Sequence, residues 1–201
     1  MKKLNKLAVI GPHKSGTKFC RKILINNFGK ENVSYKLDIT GSPFNFCEKN
    51  IINFKKKFKY NYLLFIIREK QEYLNSLYSF YVKVGGTQDF ISFSQKKNVL
   101  LKINHNMIKK VLIKHFSDRI IFVDFSEMTK KSKKFITKIS KISGIKVNSF
   151  NMDFSPTNVS DGNFSTKIKR LINLYSDRIL LKFFLILFLH TFQFKKKRVG
   201  F

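Results

Sequence analysis

The segment Gly11-Pro12-His13-Lys14-Ser15-Gly16-Thr17-Lys18 follows a short apolar run, Leu7–Ile10, and precedes a helical pattern. Its glycines, hydroxyls and lysines are the groups that hold a phosphate-like anion. A strand that runs through a glycine turn into a helix aims backbone N–H groups at the anion, and the helix dipole adds to the attraction. Gly11 and Gly16 let the backbone come close, Ser15 and Thr17 can donate hydroxyls, and Lys14 supplies a mobile point charge. Nucleotide-hydrolysing loops read G-x-x-x-x-G-K-[ST], with the lysine directly after the second glycine. Gly11 and Gly16 keep that spacing, but Thr17 and Lys18 follow in reversed order, and Lys14 stands two residues before Gly16.

A second group of residues gives the misplaced lysine a meaning. Arg68 closes the apolar run Tyr62–Ile67, Ser76 follows eight residues later, and Tyr78 comes two after that. Read with Lys14-Ser15-Gly16-Thr17, the chain resembles the sulfotransferases that use 3′-phosphoadenosine 5′-phosphosulfate (PAPS), in their bacterial or phage form. Their first loop reads roughly P-K-S-G-T-T and their second motif R-x-P-x-D-x-x-x-S-x-Y. The stretch RIIFVDFSEMTKKSKKFITKISKISGI is similar to the family's late strand, acidic turn and helix, and TNVSDGNFS to its segment before the last helix. The likeness runs from about Lys6 to Ser176.

The resemblance implies sulfuryl transfer from PAPS to a hydroxyl acceptor, by analogy a carbohydrate, with adenosine 3′,5′-bisphosphate as product and no metal required. It places Lys14 against the oxygen bridging sulfur and phosphorus, where it would stabilise charge as that bond breaks. The backbone of Ser15, Gly16, Thr17 and Lys18, with the Thr17 hydroxyl, would hold the 5′-phosphate. Arg68 and Ser76 would hold the 3′-phosphate, arginine offering forked donors.

The chain departs from the family pattern in several places. Lys18 replaces a serine or threonine, and Lys70 and Glu72 replace the proline and aspartate after Arg68. A proton acceptor is needed for the attacking hydroxyl. Ser42 occupies the place of the glutamate that many bacterial members carry there, which leaves Asp38 as the expected base, with Glu48 and His13 behind it. His105, His115 and His190 sit in helical or apolar contexts that suit structural or exposed roles.

Four apolar runs are expected as strands that position these groups: Leu7–Ile10, Val33–Ile39, Tyr62–Ile67 and Arg119–Phe125. Apolar spacing predicts helices over Thr17–Phe28, Glu69–Val84, Leu100–Phe116, Met128–Ser143 and Ser165 to about Phe184. Alternating strands and helices imply an α/β fold with right-handed crossovers. The family likeness makes it a three-layer αβα fold around a mainly parallel sheet of four to five strands. The 201 residues suit one domain, expected over 1–180, followed by an apolar, basic-ended tail over 181–201.

The net charge of +28 points to an anionic partner, although the lysines are dispersed and the composition matches an AT-rich coding bias. Nucleic acid is not the expected partner, because most of the 23 phenylalanines fall on apolar, core-like faces. A basic nucleic-acid- or membrane-surface-binding protein and a P-loop phosphotransferase, with Asp124 as its magnesium carboxylate, are the competing readings. Two cysteines without metal spacing and a start with no signal-peptide core fit the cytoplasm. The tail is too short and interrupted for a span of about 20 residues, so it either packs on the domain or lies on a membrane surface.

Overall fold

Strand β1 (Leu7–Ile10) carries four apolar side chains in a row with none exposed, the pattern of a strand covered on both faces. In the computed structural model, which describes residues 6–35, 38–57, 59–150 and 163–174, the chain continues through twelve further strands and α-helices. These are α1 (Thr17–Phe28), β2 (Val33–Tyr35), α2 (Glu48–Lys56), β3 (Tyr62–Ile67), α3 (Lys70–Lys83) and α4 (Phe90–Ser94). Then come α5 (Lys97–Ile103), α6 (His105–Phe116), β4 (Ile120–Asp124), α7 (Phe125–Lys130), α8 (Ser132–Ser143) and α9 (Asn163–Leu174).

The four strands pair in parallel in the order β2-β1-β3-β4, with Ile10 in register with Phe65 and Ile67 with Asp124. From β1 the chain turns outward to β2, and from β3 it turns the other way to β4. Open α/β sheets bind ligands at such a switch, in the crevice beyond the strands' carboxyl ends. The loop after β1 and Arg68 after β3 both lie at that position.

Alternate strand residues feed two cores. On one face Leu7, Val9, Leu64, Ile66 and Val123 meet Ile23, Leu24 and Phe28 of α1 and Phe135, Ile136 and Ile139 of α8. On the other, Ala8, Ile10, Leu63 and Phe65 meet Ile51 of α2 and Ile108, Leu112 and Phe116 of α6. Each fully buried large aliphatic or phenylalanine side chain stabilises the fold by about 1.5–3 kcal/mol relative to exposure. The result is the expected α/β architecture, a parallel four-stranded sheet between helical layers.

The chain divides into two compact units, Met1–Leu77 with Ser94–Val159, and Tyr78–Phe93 with Ser160–Phe201. The first holds the sheet. In the second, the Tyr78 and Tyr81 rings lie 5.4 and 4.7 Å from that of Phe93. The Asn173 amide there donates to the carbonyls of Val82 and Gly86 at 2.8 and 3.0 Å.

Several boundaries differ from the sequence reading. The expected helix Leu100–Phe116 is two helices, because Asn104 leaves helical geometry (φ −79°, ψ 79°) and caps α6 by accepting the Met107 N–H at 3.0 Å. Met128–Ser143 likewise divides at Lys131, and α7 starts earlier because Asp124 caps it. Strand β2 is described over Val33–Tyr35, and α9 over Asn163–Leu174. The remainder of the predicted final helix and the tail 181–201 lie outside the described residues. Among the described residues no helix is long and apolar enough to cross a membrane.

Candidate functional site

The turn between β1 and α1 closes with the Ser15 N–H donating to the Pro12 carbonyl at 3.1 Å. Gly16 then enters the helix at φ 97°, a left-handed conformation that glycine adopts without penalty. Among the described residues no side chain caps α1, and its first turn holds no acidic residue, so its leading N–H groups keep their affinity for an anion. Gly11 is needed for closeness: a Cβ there would lie 2.6 Å from Ser15 Oγ and 2.8 Å from Thr17 Cγ2.

Two features of this loop are costly for folding alone. Lys14 adopts φ 69°, a left-handed conformation uncommon for any residue with a Cβ. The Ser15 hydroxyl is buried and finds no hydrogen-bond partner among the described residues. Thr17 is also buried, whereas Lys18 is exposed and Lys14 half-buried.

Arg68 emerges from β3 beside this loop. Its Nη1 points at the Lys14 carbonyl at 3.5 Å, its Nε donates to Glu72 at 3.2 Å, and its guanidinium carbon lies 5.1 Å from the Phe125 ring centroid. Ser76 is buried on α3, and Tyr78 donates its hydroxyl to the Gln88 carbonyl at 3.1 Å within the second unit. Contacts therefore join Lys14, Gly16, Phe125 and Arg68 into one neighbourhood.

Asp38, the expected base, has both of its carboxylate oxygens engaged within the protein. Its Oδ1 accepts the Thr40 N–H at 2.9 Å and the Thr40 hydroxyl. Its Oδ2 accepts the His13 N–H at 2.9 Å and faces the Lys102 ammonium at 2.6 Å. Four donors on one carboxylate occupy most of its lone-pair directions and leave little room for an acceptor hydroxyl. Beside it, burial and the Lys14 charge hold the His13 imidazole below its ordinary pKa, so that it is neutral near pH 7.

Lys102 is the residue that sequence reasoning missed. Its signal was legible: Val99, Lys102 and Ile103 share one face of α5, all buried, so the lysine occupies a core position. Glu48 pairs with His115 at 3.1 Å and Lys114 at 3.7 Å, which joins α2 to α6. Asp124 caps α7, accepting the Ser126 N–H and hydroxyl at 3.1 and 3.0 Å, and this task competes with the magnesium ligation that a phosphotransferase would need. His190 lies outside the described residues. Among the described residues no group of three or more His, Cys, Asp and Glu side chains is arranged to hold a metal ion.

No family model matches the sequence, and no curated protein does. Among solved structures the chain is similar to mouse sulfotransferase SULT7A1, determined in complex with PAP, with a TM-score of 0.52 at 16% sequence identity. The match covers 73% of this chain and 61% of that one, so the chain spans about three-fifths of the length of this neighbour. At that identity the likeness is one of architecture: the chain has the α/β fold, with a parallel sheet flanked by helices, of the sulfotransferases.

Proposed function

We propose that the chain is an enzyme that transfers a sulfuryl group from PAPS to a hydroxyl acceptor, with a carbohydrate as the acceptor class favoured by the sequence resemblance. The observation that carries this reading is Lys14 at φ 69° in the loop, with Arg68 of the neighbouring strand reaching its carbonyl. A left-handed lysine costs about 1–3 kcal/mol that glycine would avoid, so its ammonium is the reason to keep it there. The buried Ser15 hydroxyl and the start of α1, which find no partner and no side-chain cap among the described residues, suit an anion seated on the loop. The fold neighbour was determined with PAP, the bisphosphate product of such a donor.

Within this reading the N–H groups from Ser15 to Lys18 and the Thr17 hydroxyl hold the 5′-phosphate, while Arg68 and Ser76 hold the 3′-phosphate. Lys14 neutralises the bridging oxygen as its bond to sulfur breaks, supplying the charge that a divalent cation supplies to a triphosphate. The acceptor oxygen forms the new bond to sulfur, and its proton passes to neutral His13. Asp38 serves by holding the loop instead of taking that proton. Location in the cytoplasm, with 181–201 either packed on the domain or lying on a membrane surface, belongs to the same proposal, and liposome flotation with and without the tail distinguishes the two.

Titration with adenosine 3′,5′-bisphosphate and with magnesium-ATP tests the core of the reading. The expected result is saturable bisphosphate binding weakened by Lys14→Ala and by Arg68→Ala. Tighter binding of magnesium-ATP with no response to the bisphosphate would overturn it. His13→Asn is expected to lower turnover more than bisphosphate affinity.

A further inference from the structure

Lys102 is wholly buried, with 0% of its side chain exposed. It lies 2.6 Å from Asp38 Oδ2, donates to Thr40 Oγ1 at 2.7 Å and stands 3.5 Å from the Asn45 carbonyl. A buried ammonium demands a counter-ion, and a single buried carboxylate meets that demand only when its position is fixed. The same Asp38 oxygen that meets Lys102 also accepts the His13 N–H, one peptide before the left-handed Lys14. Thr40 closes the ring, accepting from Lys102 and donating to Asp38 through its hydroxyl.

We infer that Lys102 is a positioning residue that, through Asp38, fixes the backbone at His13 and so sets where Lys14 presents its ammonium. The clamp consists of a helix α5 side chain, the carboxylate beyond β2 and the loop beyond β1. It makes Asp38 an anchor whose charge is spent inside the protein. The catalytic consequence rests on the sulfotransferase reading; the clamp itself does not.

Amide hydrogen exchange at His13, followed by NMR, and bisphosphate titration test it in Lys102→Met and Asp38→Asn proteins shown to be folded by circular dichroism. Loss of a charged hydrogen-bond partner is worth a factor of about 10 to 100, so His13 should exchange faster by about that factor while Val9 and Leu64 in the sheet do not. Bisphosphate affinity should fall by a similar factor, and the double variant should lose little more than either single one. Wild-type exchange at His13 together with wild-type affinity in Lys102→Met would overturn the inference. If Lys102→Met does not fold, the double variant, which buries no lone charge, carries the same two measurements with the same overturning result. Absence of bisphosphate binding by the unaltered protein would count against the sulfotransferase reading alone, because His13 exchange still decides the clamp.

Discussion

The Arg68 guanidinium carbon stands 5.1 Å from the centre of the Phe125 ring. The same ring fills the space in which a side chain on Gly16 would begin, with Cε2 2.4 Å from an added Cβ. One aromatic side chain from the start of α7, just past β4, thus backs both halves of the candidate anion site.

Gly16→Ala should therefore be doubly costly. Alanine would have to adopt φ 97° and displace the Phe125 ring, and such strain costs about 1–3 kcal/mol. Denaturant titration should show that loss of stability, and calorimetry a bisphosphate affinity reduced by about tenfold or more, since the helix entrance moves.

Arg68 and Glu72 should give opposite signs. Arg68→Ala removes a forked donor and should weaken bisphosphate binding by about tenfold or more. Glu72 holds the Arg68 Nε at 3.2 Å in a solvent-exposed pair, which would compete with an anion on Arg68 under the proposed function but contributes only about 0–1 kcal/mol to stability. Glu72→Gln should leave stability nearly unchanged and tighten bisphosphate binding a few-fold; a weaker complex would show that Arg68 needs Glu72 to be aimed.

Acid should destabilise the fold through two histidines. Burial, then Lys14, lowers the His13 pKa from the ordinary 6.5, and burial, then Lys109, lowers that of His105. A depressed folded pKa means that the unfolded chain binds more protons in the window below 6.5. Stability is then complete above that value and is lost as pH falls through it. The urea midpoint should drop between about pH 7.5 and pH 5.5, and His105→Gln should reduce the drop.

Tyr73 is fully buried on α3, and its hydroxyl finds no hydrogen-bond partner among the described residues. Burial, then the Asp38 charge, pushes its pKa well above the ordinary tyrosine value, so the hydroxyl stays protonated. An unmet buried hydroxyl costs about 1–3 kcal/mol, and Tyr73→Phe should raise the denaturation midpoint accordingly. A lower midpoint would mean that the hydroxyl has a bonding role.

Much of the fold was legible because the strand signals were short, apolar and continuous. Leu7–Ile10 and Tyr62–Ile67 stand where the apolar runs place them, and Thr17–Phe28 starts at its glycine turn and ends at Gly29. What escaped were interruptions decided by single side chains. Asn104 turns its side-chain Oδ1 to the Met107 N–H and breaks a helix that periodicity alone would continue. The loop was legible as a glycine turn between a strand and a helix, and Arg68 as the residue that closes an apolar run, because each of those signals is local. Asp38 was visible as a carboxylate, but its partner Lys102 is 64 residues away, and only the folded chain brings them within 2.6 Å. Charge in a sequence does not say which lysine is buried, except through its place on an apolar helix face.

The pairing of β1 with β3 has a consequence for motion. The loop and Arg68 leave adjacent strands of one hydrogen-bonded ladder, so their backbones can separate only by stretching that ladder. An anion gripped between them would therefore be released by rotation of side chains, with Arg68 swinging on its own bonds toward Glu72, while the sheet beneath keeps its spacing.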